Sequence, residues 1–164
     1  MQYPRVIPAI LLALALAASA CGSAAPTAAF DCPVTIPPNP AFIPSPPSPE
    51  LPPTEGRFWV GSDALFTELP SDGRWDQLAL GEKVFWWSED YSVDQEPMPA
   101  LTITARRLDG PAPDYLSTKA TNASHASFGR TAMLVGVTLG DSGCWEVSGT
   151  YRGETLSFVV WVEP

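Results

Sequence analysis

The chain has 164 residues, of which 45% are apolar and 16% charged, and this length predicts about one domain. Nine basic against eighteen acidic side chains give a formal charge of −9. That balance argues against a nucleic-acid binder, which needs a basic face, and against charge-driven docking on anionic lipid. One histidine and three cysteines nearly exclude a histidine-rich or four-cysteine metal centre.

The N-terminus has the pattern of a signal peptide. Arg5 precedes an apolar run at residues 6–16, and small residues follow up to Ala20. The stretch 6–20 is too short for a membrane-spanning helix, which needs roughly 20 residues. We therefore expect residues 1–20 to be a cleaved signal peptide.

Two interpretations of the cleavage site remain open. Residues 18–20 fit an ordinary secretory site, whereas residues 18–21 resemble the lipobox of bacterial lipoproteins, in which Cys21 would be acylated. Cysteine parity favours the lipoprotein, because Cys32 and Cys144 then remain as a pair and no odd thiol is left. The resemblance implies a bacterial protein, anchored by lipid on the extracytoplasmic side of the cell membrane.

Residues 21–53 form a proline-rich arm. Eleven prolines fall within residues 26–53, a composition that favours extended polyproline II and is typical of a spacer. If Cys32 pairs with Cys144, only residues 22–31 are a free tether. The rest of the arm then lies against the domain, where proline rings could pack on Trp161 and on one of Trp86 or Trp87.

Residues 54–164 have the texture of a β domain. Short apolar runs between turn residues predict seven strands, at 57–60, 64–69, 83–87, 101–107, 131–139, 143–151 and 155–162. About seven strands in this length predict an all-β, immunoglobulin-like antiparallel β-sandwich. The last two strands are expected to form a hairpin through residues 152–154.

The segment 141–147 resembles the entry to strand F of immunoglobulin domains. Trp145 stands at the corner tyrosine and Val147 at the buried cysteine, so the usual inter-sheet disulfide is absent. The period of two places Trp145 and Val147 in the core and Cys144 on the outer face. Strand 83–87 is apolar on both faces, so its outer groups either form a binding patch or are covered, most naturally by the arm.

The acidic loop at residues 88–97 is the strongest local anomaly. It follows Trp86 and Trp87 and carries four carboxylates: Glu89, Asp90, Asp94 and Glu96. A solvated loop is the main interpretation. The alternative is a carbohydrate- or Ca²⁺-binding site built from these carboxylates and an exposed tryptophan, and glycoside hydrolysis by the loop is a third possibility.

No catalytic constellation is specific, and no cofactor is expected. His125 lies in a polar loop, and neither a nucleophile elbow nor a phosphate-binding glycine loop occurs. Arg106 and Arg107 are expected to form ion pairs with Asp109 or Asp114.

Several segments together resemble a family of uncharacterised bacterial secreted or lipid-anchored proteins. The matching segments are 32–35, 61–65, 72–73, 86–87, 101–109, 112–113, 143–147 and 156–159. Because both cysteines fall in matching segments, the resemblance implies the Cys32–Cys144 pair, and it implies no activity. We expect a non-enzymatic lipoprotein that binds an envelope protein or a glycan, or has a structural role.

Overall fold

A computed structural model describes residues 30–45, 55–75, 82–124 and 131–163. The expected signal peptide, Cys21 and His125 lie outside these ranges. The described residues form an all-β protein without a helix, so none of them belongs to a helix that could cross a bilayer. The strands are β1 (Arg57–Ser62), β2 (Leu65–Pro70), β3 (Arg74–Trp75), β4 (Glu82–Trp87), β5 (Thr102–Arg107), β6 (Tyr115–Ser117), β7 (Thr121–Ser124), β8 (Thr131–Val137), β9 (Gly143–Tyr151) and β10 (Glu154–Val162).

All seven predicted strands are present, and the expected number of about seven is too low. The described ranges contain three further strands, β3, β6 and β7, with two, three and four residues. Segments this short cannot display an alternation of apolar and polar residues over several periods, which is the signal that a sequence offers for a strand.

The strands form two five-stranded sheets. Sheet A has the order β1-β2-β4-β8-β7, and sheet B has the order β3-β10-β9-β5-β6. Neighbours are antiparallel except β3, which runs parallel to β10. The expected β9–β10 hairpin is confirmed, with a loop of two residues, because Glu154 already pairs with Tyr151. Arg152 and Gly153 have φ values of 48° and 90°, as a type I′ turn requires.

The two sheets share one hydrophobic core. As predicted, Trp145 and Val147 face the core from β9, and in β10 Phe158, Val160 and Val162 are buried in the same core. Trp86 reaches from sheet A to sheet B, where its ring lies 5.7 Å from that of Phe158. Gly149 makes this possible, because a Cβ at that position would lie 2.5 Å from the Trp86 ring.

Candidate functional site

A disulfide between Cys32 and Cys144 joins the proline-rich arm to sheet B. The Cα atoms are 5.5 Å apart, and Cys144 is fully buried although it lies on the outer face of β9. The predicted pairing is therefore confirmed. Because Cys144 is the second residue of β9, the bond attaches the arm at one end of the sheet.

The arm then covers part of the free edge of β10. The Thr35 N–H donates to the Val159 carbonyl at 2.9 Å, and the Val159 N–H donates to Thr35 Oγ1 at 2.8 Å. Further along this edge, the N–H groups of Trp161 and Glu163 donate to carbonyls in the β3 segment. Arm and β3 together satisfy an edge that would otherwise offer unpaired backbone groups to another chain.

Beyond this edge the arm reaches the outer face of sheet A. The Phe42 ring packs edge-on against Phe66, with the ring centroids 5.8 Å apart. Ser45 donates from its N–H and its hydroxyl to the two carboxylate oxygens of Asp63, both at 2.6 Å. The expectation that the arm covers outer apolar groups is confirmed, but the ring contact is made by Phe42 and not by the expected proline rings.

The alternative binding site requires an exposed tryptophan on β4, and both tryptophans of this strand are buried. Trp86 is 0% exposed in the shared core, and Trp87 is 1% exposed in an outer aromatic cluster with Trp59 and Phe66. The prediction that either ring is open to a ligand is wrong for a topological reason. Strand β4 lies inside sheet A, with sheet B against one face and the aromatic cluster and Phe42 on the other.

The acidic loop is docked on the β9–β10 hairpin by Glu96. Its Oε2 accepts hydrogen bonds from the Tyr151 hydroxyl at 2.6 Å and from Arg152 Nη2 at 3.1 Å, and its Oε1 accepts from the Ala100 N–H. Arg152 Nη1 also donates to the Asp90 carbonyl at 2.8 Å. The hydrogen bond from Tyr151, followed by that from Ala100 and the charge of Arg152, lowers the pKa of Glu96 against the opposing effect of burial.

The four carboxylates of the loop do not share one site. Glu89, Asp90 and Asp94 are exposed, whereas Glu96 is half-buried and engaged with the hairpin. In the part of the chain that the structure describes, no three acidic, histidine or cysteine side chains are grouped to hold a metal ion. Glu96 thus has a structural partner that the sequence did not reveal, because Tyr151 is 55 residues away.

The two adjacent arginines have different partners. Arg107 Nε donates to Asp109 at 2.6 Å, which confirms one expected pair and lowers the pKa of that carboxyl. Arg106 Nε donates to Glu146 at 2.7 Å, and the two residues are register partners on β5 and β9. Only the strand register identifies Glu146 as the neighbour, so this pair was not predictable.

A groove of about 350 Å³ lies on the outer face of sheet B, between β5, β6 and β9. Its lining includes the Arg106–Glu146 pair, the Ser148 hydroxyl and Leu116, which is 66% exposed. We call it the sheet B groove. It offers a charged donor, a carboxylate acceptor and a hydroxyl beside an apolar group. The sequence does not indicate this groove, because β6 has only three residues and shows no strand pattern.

A second groove, of about 290 Å³, adjoins the disulfide. It is lined by Phe30, Asp31, Cys32, Val34, Asp72, Arg74 and Trp161, and we call it the disulfide-end groove. Phe30 is 51% exposed and Trp161 is half-buried, whereas the other five tryptophans are at most 5% exposed. Arg74 forms an ion pair with Glu163.

Comparison of the chain with protein-family models, with curated proteins and with solved structures gave no match. The resemblance carried by segments such as 32–35 and 143–147 therefore stays a prediction.

Proposed function

We propose that this protein is a non-enzymatic, lipid-anchored binding module on the extracytoplasmic side of a bacterial membrane. The main observation in support of this proposal is the Cys32–Cys144 disulfide, which attaches the arm covalently to the domain. Disulfides of this structural kind form and persist in oxidising compartments outside the cytosol. Together with the signal-peptide pattern of residues 1–20 and the lipobox-like residues 18–21, the bond supports export and acylation of Cys21.

We propose further that the domain is an immunoglobulin-like sandwich. Strands β2, β4, β8 and β7 follow one another in the order of immunoglobulin strands A, B, E and D. Strands β10, β9, β5 and β6 follow the order G, F, C and C′. Strand β1, strand β3 and the arm are additions to this arrangement.

The corner at the start of β9 supports the same assignment. In immunoglobulin domains a tyrosine at this place hydrogen-bonds to backbone a few residues upstream. Here Trp145 Nε1–H donates to the Asp141 carbonyl at 3.0 Å, so the indole makes the equivalent bond. The disulfide also differs from that of immunoglobulin domains. Val147 stands where the inter-sheet cysteine would be, and Cys144 instead binds Cys32 of the arm.

The ion pairs of three charged side chains support a binding module over an enzyme. Glu96 holds a loop, Arg107 holds Asp109, and Arg106 holds Glu146 across neighbouring strands. Each of these groups is engaged by a partner of opposite charge. A general acid or base would instead need a position facing substrate.

The anchor is tested by expressing the full chain in a bacterial host and fractionating the cells. We expect the protein in the membrane fraction with a diacylglyceryl-type mass increase on Cys21, and release from the membrane for Cys21→Ala. A non-reducing intact mass should also show Cys32 and Cys144 two hydrogens short. A wild-type protein outside the membrane fraction, or membrane association that Cys21→Ala leaves unchanged, would contradict the proposal.

The partner is best sought at the sheet B groove. A photo-crosslinking amino acid at Leu116, in living cells, should give an adduct with an envelope protein or a glycan. The matched control is the same amino acid at Thr155, which is exposed on β10 at the hairpin. Adducts at neither position, or equal adducts at both, would count against a specific binding surface there.

A further inference from the structure

The arm enters the domain at one end of sheet B. Cys144 lies opposite Trp161 in the strand register, at the start of β9 and near the finish of β10. The disulfide holds Cys32 at this end, and Phe30 precedes it with half of its surface exposed. The acidic loop lies at the other end, because Glu96 contacts Tyr151 and Arg152 of the hairpin.

The number of residues between Cys21 and Cys32 sets an upper limit on how far this end can lie from the anchor. Eleven Cα–Cα steps separate Cys21 from Cys32, so at about 3.6 Å per residue the tether spans at most about 40 Å. Strand β9 has nine residues and is about 30 Å long at roughly 3.3 Å per residue. The hairpin end of β9 therefore lies about 30 Å, along the strand direction, from the end at which Cys144 holds the tether.

The surface at the tethered end suits the boundary between lipid and water. Phe30 and Trp161 both line the disulfide-end groove. The indole of Trp161 combines an apolar ring with an N–H donor, a combination favoured at headgroup depth, and Phe30 adds an exposed apolar ring beside it. The groove also holds the carboxylates of Asp31 and Asp72, while Arg74 is paired with Glu163. Attraction to anionic headgroups would therefore not drive a contact between this groove and a membrane. Such a contact would depend on the two aromatic rings and on the tether to Cys21.

We infer that the disulfide-end groove rests on the phospholipid surface, with Phe30 and Trp161 at headgroup level and the acidic loop directed away. The inference rests on the proposed acylation of Cys21, since a lipid anchor supplies the high effective concentration at which a small aromatic contact becomes occupied. The same orientation leaves the hairpin end free of the membrane.

Tryptophan fluorescence tests this orientation without any added label on the protein. The acylated full-length protein is reconstituted into phosphatidylcholine vesicles that contain phosphatidylcholine spin-labelled on its headgroup, a short-range quencher. Trp161 is one of six tryptophans and the only one of them more than 5% exposed, so we expect loss of up to about one sixth of the emission. The loss should be absent for Trp161→Phe and unchanged by salt, because charge does not drive the contact.

Two further variants separate orientation from folding. Phe30→Ser should weaken the quenching while leaving every tryptophan in place. Met98→Ser changes an apolar side chain directly after the acidic loop, which is 67% exposed against 51% for Phe30, and it should leave the quenching as it is. Vesicle flotation is measured on the same samples.

The outcomes are distinct. Protein that floats with the vesicles but shows no quenching, or equal quenching for Trp161→Phe, overturns the orientation and leaves the proposed anchor standing. Protein that does not float overturns both, since the inference requires the anchor. Quenching lost in Trp161→Phe, reduced in Phe30→Ser and retained in Met98→Ser is the expected result.

Discussion

Removal of the Cys32–Cys144 bond should cost this domain a large part of its stability. The two cysteines are 112 residues apart in the chain, so the bond closes most of the domain into one loop. In the chain-entropy description a loop of this size contributes about 4 to 5 kcal/mol, chiefly by restricting the unfolded chain. Single domains have a total free energy of unfolding of about 5–15 kcal/mol, so the loss is comparable to the whole margin of a modest fold.

The experiment compares a protein carrying Cys32→Ala and Cys144→Ala with the intact disulfide form. Both proteins carry Cys21→Ala, which keeps them soluble and removes the third thiol. Urea unfolding is followed by tryptophan fluorescence. With an m-value of about 1.5 kcal/mol/M, the expected loss moves the unfolding midpoint down by about 3 M. The m-value itself should rise, because the unfolded chain without the bond exposes more surface.

Reduction of the disulfide protein by dithiothreitol is the matched control. It breaks the same bond without substituting the buried Cys144, so agreement between the two measurements assigns the effect to the cross-link. A loss below about 1 kcal/mol in both would refute the reasoning, since the loop-closure estimate is about four times larger. A large loss in the double variant alone would instead assign the effect to repacking around position 144.

Three further predictions concern substitutions in the core, in the arm and in the acidic loop. Gly149→Ala puts a Cβ 2.5 Å from the Trp86 ring and should cost about 1–3 kcal/mol of unfolding free energy in urea, and an unchanged midpoint would contradict this packing. Phe42→Ala should cost about 1.5–2.5 kcal/mol of unfolding free energy, half of the loss for a fully buried phenyl, and should increase binding of a dye specific for exposed apolar surface. The pKa of Glu96 in the folded protein lies below its ordinary value of 4.5, so the stabilisation by its carboxylate is fully present above pH 4.5 and is lost as the pH falls through the folded-state pKa. Between pH 6 and pH 3 the urea midpoint should therefore fall more steeply for the wild type than for Glu96→Gln. Parallel curves would refute the role of the Tyr151 hydrogen bond.

The long strands were predictable because their pattern is local. In β9 and β10 the alternation of Trp145, Val147, Phe158 and their neighbours survives in the folded protein, since each strand has one face in the core and one outside. The disulfide was predictable in part from counting, because one of three cysteines had another expected role. The turn at Gly153 was predictable because few residues tolerate its backbone conformation.

The candidate sites were less predictable, because they depend on contacts between distant parts of the chain. Nothing near Glu96 in sequence indicates Tyr151, and nothing near Arg106 indicates Glu146. The sequence around Phe42 is proline-rich and does not indicate that this ring packs against Phe66 on the outer face of sheet A. The alternative that used Trp86 and Trp87 as exposed rings is wrong for the same reason.

By itself the sequence determined the all-β class, the long strands and the faces of β9 and β10, since a period of two is written in consecutive residues. Only the tertiary structure decided what covers the second apolar face of β4, because a strand with two apolar faces is equally compatible with an open patch and a buried centre. Burial there results from the order of strands in sheet A and from the path of an arm fastened 112 residues away at Cys144.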